Sequence, residues 1–506
     1  MDQTNQVNNS ASTPAQPDRS AKPVLLVCID GLSWELATSL FNQGLLPHLQ
    51  RLVHDGVSGQ HPSIKPLISP RIWASIYTGK TPEKHGIFDF YDDQVQSKQI
   101  WEILHDAGET VGVFNPLTLF DAQPVNGFQV PGTMARQPSA YPEELTALKN
   151  FAIDVRNNKL TFSRLVKYTR SLNKIGCRLT TLLRSGIVYL TLRLSKGSFL
   201  DTFHKKKRID TLINTDIFLR CFKQYSPTFA VFYDNGIDLM SHRYWKYMDP
   251  EHPEHSKYGT IIKNYYRLID RILGTILAML TKQWTVLVIS DHGFQESHGH
   301  TTYDIATEKL LLLLGLQDSV YAIKLVDRFF FRPKQEAITT DEISTILQSI
   351  VGINGEPLFN ITHDQEYVQV WGNHSVITNS TSAILPDQTE IPVQEVIAAD
   401  SLRSGTHQEN GVVFITGPDI RTGEHIENIS VYDIAPTILA IKNMPIPTDM
   451  DGQVLQQIFT PETLGNQSLQ SISSYETESK ELSERRKLTT DEEENIKARL
   501  QELGYL

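Results

Sequence analysis

Only three cysteines occur in 506 residues (Cys28, Cys177 and Cys221), an odd number at wide spacing. This excludes a disulfide framework and a thiolate zinc site, and it suits a protein kept in a reducing cytoplasm. Long apolar runs are also missing, and none reaches the ~20 residues that a spanning helix needs. Met1 to Ala21 is rich in Gln, Asn, Ser and Pro and has no apolar core, so residues 1–22 read as a disordered leader and not a secretory signal. Positive charge is short overall, with 47 Lys and Arg against 58 Asp and Glu, a net charge of -11. Non-specific nucleic-acid binding by the whole protein is therefore disfavoured, and an anionic substrate would need a locally positive site. The 40% hydrophobic content is that of a soluble globular protein, and the length suggests one large domain with insertions, or two domains.

Acid is absent where base is plentiful. Residues 159–200 hold nine Lys and Arg (Lys159, Arg164, Lys167, Arg170, Lys174, Arg178, Arg184, Arg193 and Lys196) and no Asp or Glu. Leu165, Tyr168, Leu172, Ile175, Leu179 and Leu182 recur at three- and four-residue steps, an apolar stripe that predicts one helix with Lys167, Arg170, Lys174 and Arg178 on another face. Three readings stay open: a solvated face, a basic cap over an anionic substrate, or a peripheral contact with an anionic membrane through residues 159–200.

What is present is a series of short apolar runs that suit strands buried on both faces. They are Val24–Ile29, Thr110–Phe114, Thr228–Tyr233, Trp284–Ser290 and Gly411–Gly417. Helical patterns lie between them, notably Tyr258–Leu280 and a helix around Ile100–Ala107. This alternation predicts an α/β fold, a doubly wound, mostly parallel sheet with helices on both faces. The expected organisation is a catalytic domain over 23–465 with insertions at about 135–215 and 318–395. A mostly disordered tail follows over 466–506, with a short helix over Asp491–Leu503.

Three of these runs lead into an aspartate: Asp30, Asp238 after a short loop, and Asp291. Open α/β sheets bind ligands at the carboxyl ends of their strands. Asp238 and His242, four apart, share one face of a helical turn. His292 follows Asp291, and His407 precedes the Gly411 run. Oxygen and imidazole donors without thiolate suit zinc or manganese. Ser69 opens the helical run Ser69-Pro70-Arg71-Ile72-Trp73, where Ser-Pro either caps an ordinary helix or presents a hydroxyl at a helix start that favours anions.

The ordered set Ile29-Asp30-Gly31, Ser69, Tyr77-Thr78-Gly79, Pro82-x-x-His85-Gly86-Ile87, Asp238-x-x-x-His242, Ser290-Asp291-His292-Gly293, Gly405-Thr406-His407 and Tyr432-Asp433-Ile434-Ala435-Pro436-Thr437 resembles the alkaline phosphatase superfamily. Its type I phosphodiesterase/nucleotide pyrophosphatase branch is the best match. The resemblance implies two divalent ions, zinc or alternatively manganese. Asp238, His242 and His407 would hold one, and Asp30, Asp291 and His292 the other, with Ser69 as nucleophile touching the second. It further implies a small phosphoester or nucleotide substrate. The branch's Asn phosphate donor has no counterpart here, so either Arg71 or backbone N–H groups would replace it, or the substrate is unusual. His85, His298 and His300 read as structural, or at most as supports behind the site's ligands. A phosphomonoesterase or phosphonate hydrolase on the same scaffold is the competing enzyme. The competitor of another class is a metal-free binding protein that uses its basic helix for anionic lipid or a partner.

Overall fold

The computed structural model describes residues 22–476 except 136, 157–158, 160, 195–197, 298–301, 326–327, 335–337, 401–403 and 467–468, and adds tail positions 489, 492, 494 and 496. Its centre is an eight-stranded sheet. In spatial order the strands are Glu424–Ile426, Val57–Pro62, Asn410–Thr416, Thr285–Ile289, Val24–Ile29, Phe229–Asp234, Val111–Phe114 and Gly127–Val130. The five from Thr285–Ile289 to Gly127–Val130 are parallel, whereas Asn410–Thr416 runs antiparallel to both neighbours. The expected mostly parallel α/β sheet is present. Its apolar runs are buried at every residue because helices cover both faces. The helix Ile261–Leu277 illustrates how, with Ile262, Tyr265, Tyr266, Ile269, Ile272, Leu273 and Ile276 on its buried face.

Residues 302–400 carry a separate hydrophobic cluster, from Ile305 to Ile397. Its four-stranded antiparallel sheet is ordered Phe359–His363, Val368–Gly372, Arg328–Pro333, Val320–Leu325. This unit meets the main sheet's loops through a buried Arg332 paired with Asp89 and Asp92. Tyr91 stacks on Tyr321 at 4.3 Å, and the Tyr367 hydroxyl donates to the Phe88 carbonyl at 2.9 Å.

One expectation needs correction, and the tail expected to be mostly disordered has an ordered part. The basic stretch is not one helix: Phe162–Lys174 ends before Gly176, whose φ is +113°, and a second helix runs Leu179–Leu194. A side chain at Gly176 would be strained and would also strike Arg220. The elbow is fixed by Asp216, which accepts from the Arg178 guanidinium at 2.6 Å and from its backbone N–H at 3.1 Å. Nor is the whole tail loose. Ser471–Ile472 pairs with Ile446–Pro447, and Glu476 meets the buried Lys80 ammonium at 3.1 Å. A polar tail can be held by backbone pairing and a buried cation without any hydrophobic periodicity. Most of the expected helix over 491–503 falls outside the described residues.

Candidate active site

Asp30 follows Ile29 at the carboxyl end of the central strand. It leads into Gly31, whose φ of +71° turns the chain sharply and aims its N–H at Asp291 Oδ1, 3.2 Å away. Asp291 and His292 leave the adjacent strand Thr285–Ile289 at the same edge. On the other side of Val24–Ile29, Phe229–Asp234 feeds the helix Gly236–Tyr244, where Asp238 and His242 lie one turn apart. His407 comes from the strand Gly405–Gln408, paired antiparallel with Gly293–Glu296, so a two-stranded ribbon carries it over the sheet edge. Ser69 is the first residue of the helix Ser69–Thr78. Its hydroxyl does not cap that helix, since Ile68 is the cap residue and makes no side-chain bond. The Ser69 Oγ lies 3.3 Å from His292 Nε2.

These seven residues converge and all are buried. Asp238 Oδ1 is 3.2 Å from both His242 Nε2 and His407 Nε2, and those two nitrogens are 3.0 Å apart. His292 Nε2 lies 3.2 Å from Asp291 Oδ2 and 3.6 Å from Asp30 Oδ1. Two sets, Asp30, Asp291, His292 and Asp238, His292, His407, each place their donor atoms within 4.8 Å of one another. His292 thus lies between the two halves, a position the sequence pattern did not give it.

The imidazole tautomers follow from their partners. Nδ1 of His242, His292 and His407 faces the carbonyls of Gly405, Gly293 and Leu67, at 3.1, 3.0 and 2.9 Å. A carbonyl only accepts, so each Nδ1 carries a proton and each Nε2 points its lone pair inward, as metal-binding histidines do. Two lone pairs facing each other at 3.0 Å need a proton or a cation between them. The carboxylates carry the same message, because Asp30 Oδ1 and Asp291 Oδ2 are buried without a hydrogen-bond donor. Burial, then the neighbouring Asp291 and Asp238 charges, pushes Asp30 well above the usual carboxylate range. Burial and the Asp238 charge raise Asp291 to about 7. Burial acts the same way on Asp238, but His242 and His407 outweigh it and hold that carboxyl well below the usual range. The donor set and the orphaned oxygens fit divalent cations.

A family model for type I phosphodiesterase / nucleotide pyrophosphatase matches residues 24–373. The chain belongs to that family. It is therefore a hydrolase of the phosphodiesterase/nucleotide pyrophosphatase class, within the alkaline phosphatase superfamily. Members of the family are generally divalent-metal dependent. The match includes every converging residue except His407. Among solved structures the chain is similar to murine ectonucleotide pyrophosphatase/phosphodiesterase 5, at 16% identity and a TM-score of 0.47. It is also similar to an inactive form of that protein in complex with AMP, at 15% identity and a TM-score of 0.48. Each alignment covers 87% of this chain and 100% of the other. No curated protein sequence matches.

Arg71 is the site candidate that does not join the cluster. Residues two apart on a helix point to different sides, so Arg71 leaves away from Ser69. Its Nη1 donates to Glu366 of the inserted unit at 2.6 Å, and its guanidinium lies 5.7 Å from the Phe88 ring centre and 6.0 Å from that of Tyr367. Two contributors escaped the sequence reading. Trp73 Nε1 and the Tyr233 hydroxyl donate to Asp30 Oδ2 at 3.2 and 2.5 Å, which fixes that carboxylate. Trp73 stands one turn beyond Ser69, which was a usable signal, whereas nothing local marked Tyr233. His85 is structural, as expected: its Nε2 faces Ser75 Oγ at 2.9 Å and its Nδ1 accepts from the Ile87 N–H. His298 and His300 lie outside the described residues.

Proposed function

We propose that this family member cleaves phosphodiester or phosphoanhydride bonds of small phosphoesters, nucleotides among them, with two divalent ions and a covalent phospho-Ser69 intermediate. Asp238, His242 and His407 would hold one ion and Asp30, Asp291 and His292 the other, with zinc favoured by the mixed imidazole and carboxylate donors. The observation that carries this reading is the Ser69 hydroxyl at 3.3 Å from His292 Nε2, beside two buried carboxylate oxygens that lack donors. When bound, the ions lower the pKa of the Ser69 hydroxyl and neutralise charge on the phosphoryl and leaving oxygens. Ser69 Oγ then forms a bond to phosphorus as the ester bond breaks and the leaving group departs. Water subsequently cleaves the Ser69–phosphate bond and restores the hydroxyl. Trp73 and Tyr233 keep Asp30 in place throughout.

Charge favours a diester over a monoester. Two divalent ions, three aspartates and an ionised serine sum to zero, which suits a monoanion better than a dianion. Arg71 adds no positive charge to that sum, because Glu366 holds it.

The deciding experiment is trapping. Acid-quenched, metal-loaded protein should carry substrate phosphorus on Ser69, and Ser69→Ala should carry none. The alanine variant should keep its ions, and its turnover of an aryl diester should fall roughly a thousandfold or more. Near-normal turnover in Ser69→Ala would end the covalent mechanism.

A further inference from the structure

Among its described residues, the helix Leu179–Leu194 has one buried side and, roughly opposite, an exposed apolar ridge. Thr181, Leu182 and Ser185 are buried. On the other side Leu179, Leu183 and Ile187, one turn apart in succession, are 55%, 59% and 63% exposed. They form an apolar ridge about 12 Å long at 1.5 Å per residue. Val166 of the preceding helix and Phe199 of the following one are also exposed, at 38% and 55%.

The unpaired charge described on this stretch is of one sign. Lys167, Arg170 and Lys174 line the exposed side of the helix Phe162–Lys174, and Arg184 flanks Leu183. Arg164 and Arg178 are neutralised by Asp154 and Asp216, whereas Lys167, Arg170, Lys174 and Arg184 have no ion-pair partner among the described residues. No acid stands in residues 159–200, although the whole chain carries a net charge of -11.

We infer that this helical hairpin docks the protein on an anionic phospholipid surface. The ridge of Leu179, Leu183 and Ile187 enters the headgroup boundary, and Lys167, Arg170, Lys174 and Arg184 meet lipid phosphates and carboxylates. Protruding aliphatic side chains bordered by long cations are the composition of an interfacial helix. A second copy of this chain fits poorly, because a two-fold contact would set the same unpaired cations against one another. No described helix is long and apolar enough to cross a membrane, so the contact is peripheral.

The test uses the full chain with phosphatidylcholine vesicles, with and without phosphatidylserine. Wild type should co-sediment with the phosphatidylserine vesicles, bind pure phosphatidylcholine weakly, and release as salt rises. Each cation near the surface is worth about fivefold in binding, so the triple variant Lys167→Gln, Arg170→Gln, Lys174→Gln should bind about a hundredfold less well. Leu183→Ser with Ile187→Ser should lose roughly tenfold or more. Both changes are at exposed positions, and an unaltered unfolding midpoint verifies that the fold is kept. Equal binding to both vesicle types, or unchanged binding by either variant, would overturn the inference. So would self-association of wild type, abolished by the Leu183 and Ile187 changes, in a protein that ignores vesicles; the ridge would then be an interface between copies.

Discussion

The two halves of the active site use the same residue types and reach opposite electrostatic states. Around Asp238 a single carboxylate oxygen stands 3.2 Å from two imidazoles, and the carboxyl is held ionised. Around Asp30 and Asp291 two carboxylates crowd one imidazole, and each leaves a buried oxygen without a donor. The first half can be satisfied by one proton shared among its imidazoles and carboxylate, while the second leaves two buried oxygens without donors. The difference follows from the backbone. Adjacent parallel strands end side by side and bring Asp30 and Asp291 together, whereas a helical turn and a two-stranded antiparallel ribbon bring His242 and His407 to Asp238.

The largest effects should separate chemistry from ligation. His407→Ala removes an inward Nε2, so metal content and turnover should fall together, turnover by more than ~100-fold. Ser69→Ala should lose turnover with the ions retained. Metal analysis beside an aryl-diester assay distinguishes the two patterns, and full activity with both ions in His407→Ala would remove His407 from the site.

Stability of the metal-free protein should differ in sign between the halves. Asp238→Asn strips the counter-charge from the proton shared between two buried imidazoles and should cost about 3 kcal/mol. In Asp291→Asn the Oδ1 can still accept from the Gly31 N–H. Its new amide would lie where Asp291 Oδ2 is 3.2 Å from His292 Nε2, and could donate to that lone pair. This variant should gain on the order of 1 kcal/mol by losing an uncompensated buried charge, while binding metal poorly. Denaturant melts in chelator read both changes. Destabilisation of similar size in both variants would erase the contrast.

The legible parts of this contrast were the residues whose position along the chain already implied their place in space. Val24–Ile29 and Thr285–Ile289 are unbroken apolar runs, so the aspartates that follow them had to emerge at the sheet's carboxyl edge. Val57–Pro62, with Ser, Gly, Gln and His inside it, and Glu424–Ile426 gave no such signal, because their strand character comes from pairing with Asn410–Thr416 and with each other. The same reason hid the partners of the site. Glu366 lies 295 residues from Arg71, and Tyr233 lies 203 from Asp30, so neither pairing has a local trace. The basic stretch was misread at Gly176, where apolar periodicity continues across a turn that the backbone does not follow as helix.

His85 offers the smallest and cleanest test, because it is a buried group that waits for no cation. Burial, reinforced by the charge of nearby Arg71, lowers its pKa to about 3. Its Nε2 faces Ser75 and its Nδ1 accepts from the Ile87 N–H, so the neutral ring is the one the fold accommodates. An unfolded histidine titrates near 6.5. Between that value and about 3 the unfolded chain binds a proton that the folded chain refuses, so stability is complete above pH 6.5 and is lost as pH falls. At pH 5 the loss assigned to this residue is about 2 kcal/mol. His61, lowered by burial to about 4, adds to the same slope. His85→Gln keeps a donor within reach of Ser75 but cannot take up the proton, so the gap between wild type and variant should narrow by about 2 kcal/mol from pH 7 to pH 5. Urea melts at the two pH values measure that narrowing. Parallel losses in the two proteins would mean that His85 titrates normally and that burial alone, without metal-ligand crowding, does not shift a group in this fold.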